Sequence, residues 1–311
     1  MRVLVTGGSG YIGSRLLEHL ARRVDVDEIV NVDLRPPPAA PDKVRHVGRS
    51  VTEDLTDLFE GVELALHLAW TLNPLRDSAK QREICIGGTE RFLAAAATHD
   101  VRHVFFVSSA TAYGAHPAHA EPVDESAELR ERWHFQYSAE KREAEGLFAR
   151  FARERPDALV QIARPAIVGG PNVSNFIFNS IEKPIAFRAR GLDPPIQLVH
   201  EDDAAAALAA ILESRLPGAF NVAADGAVTL SEAYRRSGTR ALVLPLPVLR
   251  LFADAAWRLR LSWLTEAPPD FVYFIAYPYL VSNRRLKEEV GFRFRHTCDE
   301  TMDAYVAARK G

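Results

Sequence analysis

The stretch TGGSGYIG, residues Thr6 to Gly13, decides the fold predicted for this chain. It directly follows the apolar run VLV and precedes a segment with helical spacing. A glycine-rich turn between a strand and a helix lets a dinucleotide pyrophosphate approach the backbone at the helix N-terminus. Asp33 lies 20 residues after Gly13, where a carboxylate can hydrogen bond to a ribose hydroxyl. The stretch therefore predicts a dinucleotide-binding turn.

Short apolar runs alternate with longer segments of helical spacing over the first half of the chain. This alternation is typical of an α/β protein with a doubly wound parallel sheet and crossover helices. The predicted strands are Val3 to Thr6, Glu28 to Asp33, Leu64 to Leu68, His103 to Ser108, Val160 to Arg164 and Ala219 to Val222. The predicted helices include Ile12 to Arg23, Gly87 to Asp100 and Tyr137 to Glu154.

The pattern changes after Arg164, where proline and glycine residues interrupt the rhythm. The run HEDDAAAALAAIL then predicts a further helix, capped by Asp202 or Asp203. From Pro245 onward, apolar residues again follow helical spacing. Core packing is the favoured interpretation of that helix, and a wall for an apolar substrate is the alternative.

The composition is that of an ordinary globular protein, with 311 residues and 47% hydrophobic content. The net charge of -3 and the absence of basic runs argue against nucleic acid as a partner.

No apolar stretch approaches about 18 residues, so no membrane span is expected. The sequence following Met1 goes directly into a strand and a glycine turn, so we expect no signal peptide. The two cysteines, Cys85 and Cys298, lack disulfide or zinc spacing, so we expect no metal and a reducing cytoplasm.

Asp33 also indicates which dinucleotide is bound. A carboxylate at this position repels a 2′-phosphate, so NAD is favoured over NADP. Arg35 lies close by and keeps NADP as the less favoured alternative. A turn-forming residue at the end of a strand is the purely structural interpretation of Asp33.

A second constellation predicts the chemistry. Tyr137 and Lys141, in the run YSAEK, are four residues apart and share one face of a helix. An ammonium group lowers the pKa of a neighbouring phenol from about 10, so that the phenol can exchange a proton with a substrate hydroxyl. Ser109 follows the strand HVFFVS at the carboxyl end of the sheet, where ligands bind. These three side chains suffice to assist hydride transfer between a nicotinamide and a carbonyl carbon.

The chain resembles the extended short-chain dehydrogenases/reductases of the NAD-dependent epimerase/dehydratase family over nearly its whole length. The matching segments are TGGSGYIG, VNVDL, LALHLAW, GGTERFLAAA, FFVSSATAYG, YSAEK, ARPAIVGGP, LVHEDDAA and GAFNVA. The resemblance implies a Rossmann-type NAD-binding domain at 1–165, to which 199–225 returns. It also implies a smaller substrate-binding C-terminal domain at 166–198 and 226–311, and a homodimer.

The resemblance assigns Ser109, Tyr137 and Lys141 as catalytic residues, since Ser109 lies four residues before Tyr113. It places His67 at the cofactor edge. Together with the motif, it predicts that the cofactor is bound by Gly7, Gly10, Tyr11, Ile12, Gly13, Asp33, Leu34, Arg35, Ser50, Val51, Leu68, Ala69, Trp70, Ser108, Tyr137, Lys141 and Pro165.

Departures from the family pattern concern the substrate most. Ser50 stands where the family usually has an acidic residue at the adenine, and Cys85 stands where it usually has asparagine. Ile196 replaces an arginine that grips the diphosphate of nucleotide sugars, and the segment TEAPPDF shows no second arginine. Each missing cation forfeits charge-assisted hydrogen bonds of about 1.5 to 3 kcal/mol. The arginines that could compensate are Arg188, Arg190, Arg284 and Arg285.

Three functions therefore stay open, each with a small-molecule ligand. The leading hypothesis is an NAD-dependent enzyme of the epimerase/dehydratase family that interconverts a secondary alcohol and a ketone by hydride transfer, with a nucleotide sugar as one candidate substrate. A net NAD(P)-dependent dehydrogenase or reductase of an apolar, steroid-like or lipid-like alcohol is the first alternative. A non-catalytic dinucleotide-sensing module is the second.

Overall fold

The computed structural model describes residues 1–39, 41–117, 121–130, 135–182, 185–261 and 264–310. Its strands are β1 (Arg2–Thr6), β2 (Glu28–Val32), β3 (Val44–Val47), β4 (Val62–His67), β5 (His103–Val107), β6 (Leu159–Pro165), β7 (Ile167–Gly169), β8 (Ile185–Ala189), β9 (Pro195–Ile196), β10 (Leu198–His200), β11 (Gly218–Val222), β12 (Val228–Thr229) and β13 (Arg240–Leu244). Its α-helices are α1 (Tyr11–Ala21), α2 (Ser78–Arg82), α3 (Gly88–Thr98), α4 (Gln136–Glu154), α5 (Phe176–Glu182), α6 (Glu201–Ser214), α7 (Leu230–Ser237), α8 (Leu246–Arg258), α9 (Arg284–Glu288) and α10 (Cys298–Lys310).

Seven parallel strands form the central sheet, in the order β11, β6, β5, β4, β1, β2, β3. One face packs against α3 and α4, with Phe92 and Phe148 fully buried, and the other packs against α1 and α6, with Leu16 and Leu208 fully buried. The inner strands are apolar on both faces because helices cover both sides. From β1 the sheet grows through β2 and β3 on one side and through β4, β5 and β6 on the other, so the strand order reverses between β1 and β4. The crevice at the carboxyl ends of these two strands is the expected ligand site. The predicted doubly wound α/β fold is confirmed.

The predicted strands are confirmed with small shifts at their ends. Asp33 and Ser108 each lie one residue beyond their strand, in the loop at the carboxyl edge. Strand β3 was not predicted, because its run VRHV lies at the sheet edge, is only partly buried and carries no apolar alternation. The helix expected from Gly87 is preceded by a π-helical turn at Glu83–Gly87.

Outside the central sheet, the described strands pair into three small sheets. Strands β7 and β10 are parallel, β8 and β13 are parallel, and β9 and β12 are antiparallel. Helices α5, α7 and α10 pack with these sheets around the buried rings of Phe178 and Tyr305. The division into two domains stays a prediction.

The predicted cap of α6 is wrong. The helix begins at Glu201, and the ring nitrogen Nδ1 of His200 accepts the backbone N–H of Asp202 at 3.3 Å. Asp203 lies inside the first turn and is buried, where its carboxylate accepts the backbone N–H groups of Arg295 and His296. Asp203 therefore ties the C-terminal segment to α6 instead of capping the helix.

The core-packing interpretation of α8 holds for one face only. Leu249 and Ala256 are buried, whereas Leu251 and Leu259 are each 70% exposed and Val248 is 49% exposed. Apolar spacing shows which residues share a helix face, but a second element must cover that face. In the described part of the chain, the second apolar face of α8 remains open to solvent.

Candidate active site

A cavity of about 250 Å³ lies at the carboxyl ends of β1, β4, β5 and β6. Most of the residues predicted from the sequence meet there. Those that line the cavity are Gly7, Gly10, Tyr11, Ile12, Gly13, Leu68, Trp70, Ser108, Ser109, Tyr137, Lys141 and Pro165. The glycine turn thus faces the predicted catalytic residues across one enclosed space.

The glycine turn has the close packing that a dinucleotide cradle requires. Gly7 has φ of +75°, and a Cβ there would lie 2.4 Å from the backbone nitrogen of Ala69. A Cβ on Gly13 would lie 2.4 Å from the carbonyl oxygen of Gly7. The absence of side chains lets the turn pack directly on Ala69 and lets α1 start directly against the turn, so that the backbone of Gly7, Gly10 and Gly13 lines the cavity. The residues present therefore fit a dinucleotide pyrophosphate.

Two predicted cofactor residues have their hydroxyl groups committed to protein partners. The Tyr11 phenol donates a hydrogen bond to Glu201. Burial is the main cause that raises the pKa of this phenol, and the Glu201 carboxylate raises it further. The Ser108 hydroxyl donates to Glu145. Both residues line the cavity, and because their hydroxyl protons are already donated, they can meet a ligand only as acceptors or through their other atoms.

The predicted adenosine end lies outside the cavity, beyond β2. The Asp33 carboxylate accepts the backbone N–H of Ser9 at 3.1 Å, which places it beside the glycine turn. Leu34 is 73% exposed next to Asp33. The backbone N–H of Arg35 donates to the same carboxylate at 3.3 Å, and the Arg35 side chain is exposed. This arrangement fits the predicted ribose contact, which stays a prediction.

Three further predicted cofactor residues, Ser50, Val51 and Ala69, lie outside the cavity wall, and their contact with the cofactor stays a prediction. Val51 is 6% exposed, and its side chain packs in the core against the backbone of Gly88. The backbone N–H of Ser50 donates to Glu53 at 2.7 Å. Ala69 packs against Gly7 without lining the cavity.

His67 does not line the cofactor edge. Its ring is fully buried, with Nδ1 2.7 Å from the Thr6 hydroxyl and Nε2 3.0 Å from the Thr89 hydroxyl. Burial lowers its pKa to about 3, so the imidazole is neutral. As the last residue of β4, it points into the layer between the sheet and α3, and it therefore serves the core.

Ser109 is held in place by its own loop. Its hydroxyl oxygen accepts the backbone N–H of Thr111 at 3.2 Å and the Thr111 hydroxyl at 3.0 Å. Since both contacts use the oxygen as an acceptor, the Ser109 proton remains available to a neighbouring oxygen. Thr111 also lines the cavity and was missed by the sequence analysis. Its position two residues after Ser109 was the available signal.

Tyr137 is held protonated by its surroundings. Burial raises the pKa of the phenol, and the Ser109 side chain opposes that rise. The expected lowering by Lys141 does not appear: burial sets the direction of the shift, and the amine lies 5.8 Å from the centre of the Tyr137 ring. A protonated phenol at the cavity wall is a proton donor for a substrate oxygen.

Lys141 is 3% exposed, and its amine donates to the carbonyl oxygen of Val107 at 2.7 Å. The amine lies 3.7 Å from the centre of the Trp70 ring and 5.8 Å from that of Tyr137. Burial lowers its pKa to about 7. An amine in this state binds hydroxyl groups as a donor and gains its charge near neutral pH.

Cys85 lies close to this group, in the π-helical turn before α3. It is fully buried, and burial raises the pKa of its thiol to about 11. The thiol interacts electrostatically with both Tyr137 and Lys141. The position where the family pattern has asparagine therefore packs a neutral, weakly polar group near Tyr137 and Lys141.

The rest of the cavity wall is mainly apolar, and the sequence did not predict which residues form it. The lining residues that sequence reasoning missed are Leu72, Val107, Thr111, Phe135, Ala166, Ile167, Val168, Asn175, Phe176, Ile177, Phe271 and Tyr279. Among the lining residues that the structure describes, Lys141 is the one cation, and none is acidic. They come from segments far apart in the chain, so no local motif could identify them.

The arginines that could bind a substrate diphosphate do not line the cavity. Ile196 is 7% exposed in β9 and packs in an apolar cluster away from the cavity. Arg188 lies 3.5 Å from Asp193, and Arg285 donates to the carbonyl oxygens of Ala219 and Pro217. Arg190 and Arg284 are exposed outside the cavity wall.

The described part of the chain holds no cluster of three candidate metal ligands. Glu201 bonds Tyr11 and Arg15, and Asp202 pairs with Arg15, so the acidic start of α6 is already partnered. Within those same residues, we find no helix with the length and apolarity needed to cross a bilayer.

The sequence profile of the NAD dependent epimerase/dehydratase family matches residues 3–223, and the chain belongs to that family. The expectations of an enzyme of the extended short-chain dehydrogenase/reductase type and of NAD as cofactor are thereby confirmed. The family leaves the particular substrate and reaction open.

Three similar proteins illustrate the range of the family. An uncharacterised protein of Mycobacterium tuberculosis is 28% identical over 319 residues, which span 99% of this chain and 84% of that protein. A ketoreductase of Stigmatella aurantiaca, named for 4-hydroxy-2-methyl-3-oxo-4-farnesyl-3,4-dihydroquinoline-1-oxide, is 29% identical over 62% of this chain and 58% of its own. The solved structure of the dTDP-glucose 4,6-dehydratase DesIV from Streptomyces venezuelae has a TM-score of 0.77 at 19% identity and covers 100% of this chain and 97% of that one.

Proposed function

We propose that this protein is an NAD-dependent ketoreductase, or secondary-alcohol dehydrogenase, for an apolar substrate. The observation that carries the proposal is the cavity wall around Tyr137. Its described side chains are mainly apolar, with Lys141 as their one cation and no carboxylate. A diphosphate in such a site would lose its hydration without gaining paired cations, whereas a hydrocarbon skeleton gains by leaving water.

Each catalytic side chain has a separate task in this proposal. Tyr137 donates its proton to the carbonyl oxygen of the substrate during reduction and takes it back during oxidation. Ser109 donates a hydrogen bond to the same oxygen and fixes its position. Lys141, whose amine contacts the Trp70 ring and the carbonyl oxygen of Val107, would hold the ribose hydroxyl groups of bound NAD. Bound NAD supplies or accepts the hydride at the carbonyl carbon.

Reduction is the direction that the protonation states favour. Burial raises the pKa of the Tyr137 phenol, so the proton that a ketone needs is in place at neutral pH. Oxidation requires the phenolate, which the apolar wall disfavours. The name of the Stigmatella aurantiaca relative describes a ketone reduction on a substrate with a farnesyl group, which supports this direction and the apolar class.

A nucleotide sugar is the competing substrate class. It is suggested by solved structures such as the dTDP-glucose dehydratase, whose 19% identity carries over the fold alone. Apart from the glycine turn, which faces the cofactor, no described residue of the cavity wall offers the paired cations that would bind the diphosphate of a substrate. A non-catalytic sensor is disfavoured because Ser109, Tyr137 and Lys141 are all present around one cavity.

The assembly and location of the protein are also proposals. A homodimer through the helices around YSAEK follows from the family resemblance. Cys85 and Cys298 are both free and buried, which fits the proposed cytoplasmic location.

Thermal-shift measurements on the NAD-saturated protein test the substrate class. We expect stabilisation by cyclic or long-chain apolar ketones and none by UDP, dTDP or UDP-glucose. A ligand at about 100 times its dissociation constant adds about 2.7 kcal/mol, which is readily seen. Stabilisation by UDP-glucose, with none by any ketone, would overturn the proposal.

A further inference from the structure

We propose that the substrate carries an extended hydrocarbon tail, and that this tail occupies a second cavity next to the active-site cavity. The inference rests on the proposed function and names the part of the substrate that lies away from the reacting carbonyl. The second cavity measures about 80 Å³ and lies between β8, α8 and the segment 264–275.

Two aromatic rings separate the two cavities. Phe176 and Phe271 line both spaces, and their ring centroids are 5.1 Å apart at an interplanar angle of 69°. Tyr137 lines the first cavity on one side of this pair, and Ala253 lines the second on the other side. Because the two rings are in edge-to-face contact, a tail that runs from the phenol of Tyr137 into the second cavity has to turn them apart.

The walls of the second cavity fit a hydrocarbon. Of its described lining residues, three are polar, and each is already bonded. The Tyr234 hydroxyl donates to the carbonyl oxygen of Phe187 at 3.4 Å, and the Thr265 hydroxyl donates to that of Ala267 at 3.1 Å.

The third polar residue, Glu266, lies at the exposed rim and accepts from the Asn179 side chain at 3.2 Å. No lining group that the structure describes thus requires a hydrogen bond from the ligand. An apolar chain gives up no hydrogen bond on entering such a space, and its transfer out of water is favourable.

The outer end of the second cavity opens to solvent between apolar side chains. Ile185 is 54% exposed and Phe252 is 36% exposed at this mouth, and both line the cavity. Beyond it, α8 exposes Leu251. A tail longer than the cavity can therefore leave along an apolar surface, so the site selects for hydrocarbon character more than for one fixed length.

Substitution of alanines on α8 tests the tail site. Ala253→Trp places an indole in the second cavity, remote from Tyr137, whereas Ala255→Trp adds the same group at an exposed position of the same helix that lines neither cavity. The probes are straight-chain methyl ketones from butanone to dodecanone. Dissociation constants are measured by calorimetry on NAD-saturated protein, and reduction is followed by NADH absorbance.

We expect the affinity of the parent protein to rise about fourfold for each methylene that enters the second cavity, as hydrophobic transfer predicts. Ala253→Trp should abolish this gain for the long ketones while binding butanone and NAD as the parent does. Ala255→Trp should keep the gain. A chain-length gain that persists in Ala253→Trp, or that is absent from the parent, overturns the tail site.

The same data separate this inference from the proposed function. Reduction of short ketones without a chain-length effect would leave the proposed function standing and reject the tail site. A chain-length effect on binding that Ala253→Trp removes, without reduction of any ketone, would support the tail site and reject the ketoreductase proposal.

Discussion

Lys141 holds its amine in surroundings that favour the neutral form. Burial lowers its pKa to about 7, and the interactions with Cys85, Glu145 and Glu140 recover only part of the loss. The Trp70 ring and the carbonyl oxygen of Val107 contact the amine directly. The residue therefore couples the stability of the protein to pH.

The sign of this coupling follows from proton binding. The unfolded chain keeps a proton on the lysine up to a pKa of about 10.5, whereas the folded protein releases it from about pH 7. The unfolded state thus binds more protons between these values, and the free energy of unfolding rises with pH in that window. We expect Lys141→Met to reduce this rise, measured by urea unfolding of the cofactor-free protein from pH 7 to 10. An unchanged pH slope in the variant would contradict the placement of the amine.

At the scale of elements, α4 aligns three functional side chains on one face. Tyr137, Lys141 and Glu145 follow at intervals of four residues, as adjacent positions on a helix do. Glu145 is 5% exposed and accepts from Nε and Nη2 of Arg164, at 3.0 Å and 2.6 Å, and from the Ser108 hydroxyl. This contact fixes α4 against β6 and the end of β5, and so sets the position of the helix that carries Tyr137 and Lys141.

We expect Glu145→Gln to lower the free energy of unfolding by about 3 kcal/mol, because it leaves the buried Arg164 guanidinium without a counter-charge. Glu143→Gln is the matched control on the same helix, since Glu143 pairs with Arg82 at the surface, where both side chains are about half exposed. Its cost should stay below about 1 kcal/mol. Equal losses in chemical unfolding of the two variants would show that the buried pair does not hold the helix.

The elements differ in how far their sequence determines them. The pattern of α4 predicts both its bounds and its catalytic face, because YSAEK and the apolar positions agree. The pattern of α8 predicts a helix but not its surroundings, since its apolar residues are divided between a buried and an exposed face. Strand β3 escaped prediction because an edge strand needs little apolar surface.

At the scale of the whole molecule, local motifs identified the glycine turn and the proposed catalytic residues, which the structure brings together around one cavity. The glycine turn, Ser109 and YSAEK each follow directly from a strand or begin a helix, so the parallel sheet brings them to one edge. The substrate half depends on contacts between segments far apart, such as Phe176 with Phe271. Ile196 predicts that one arginine contact with a substrate diphosphate is missing, whereas no motif in the sequence indicated the second cavity.

Ketone reduction by Tyr137→Phe, with NADH as reductant, tests the central claim most directly. Loss of the phenolic proton donor should lower kcat by a factor of about 10² or more while NAD binding, followed by tryptophan fluorescence, stays within about twofold. Tyr279→Phe is the comparison, because Tyr279 lines the same cavity and burial also raises its pKa. The account predicts a much smaller loss for Tyr279→Phe. Turnover that survives in Tyr137→Phe but falls in Tyr279→Phe would contradict it.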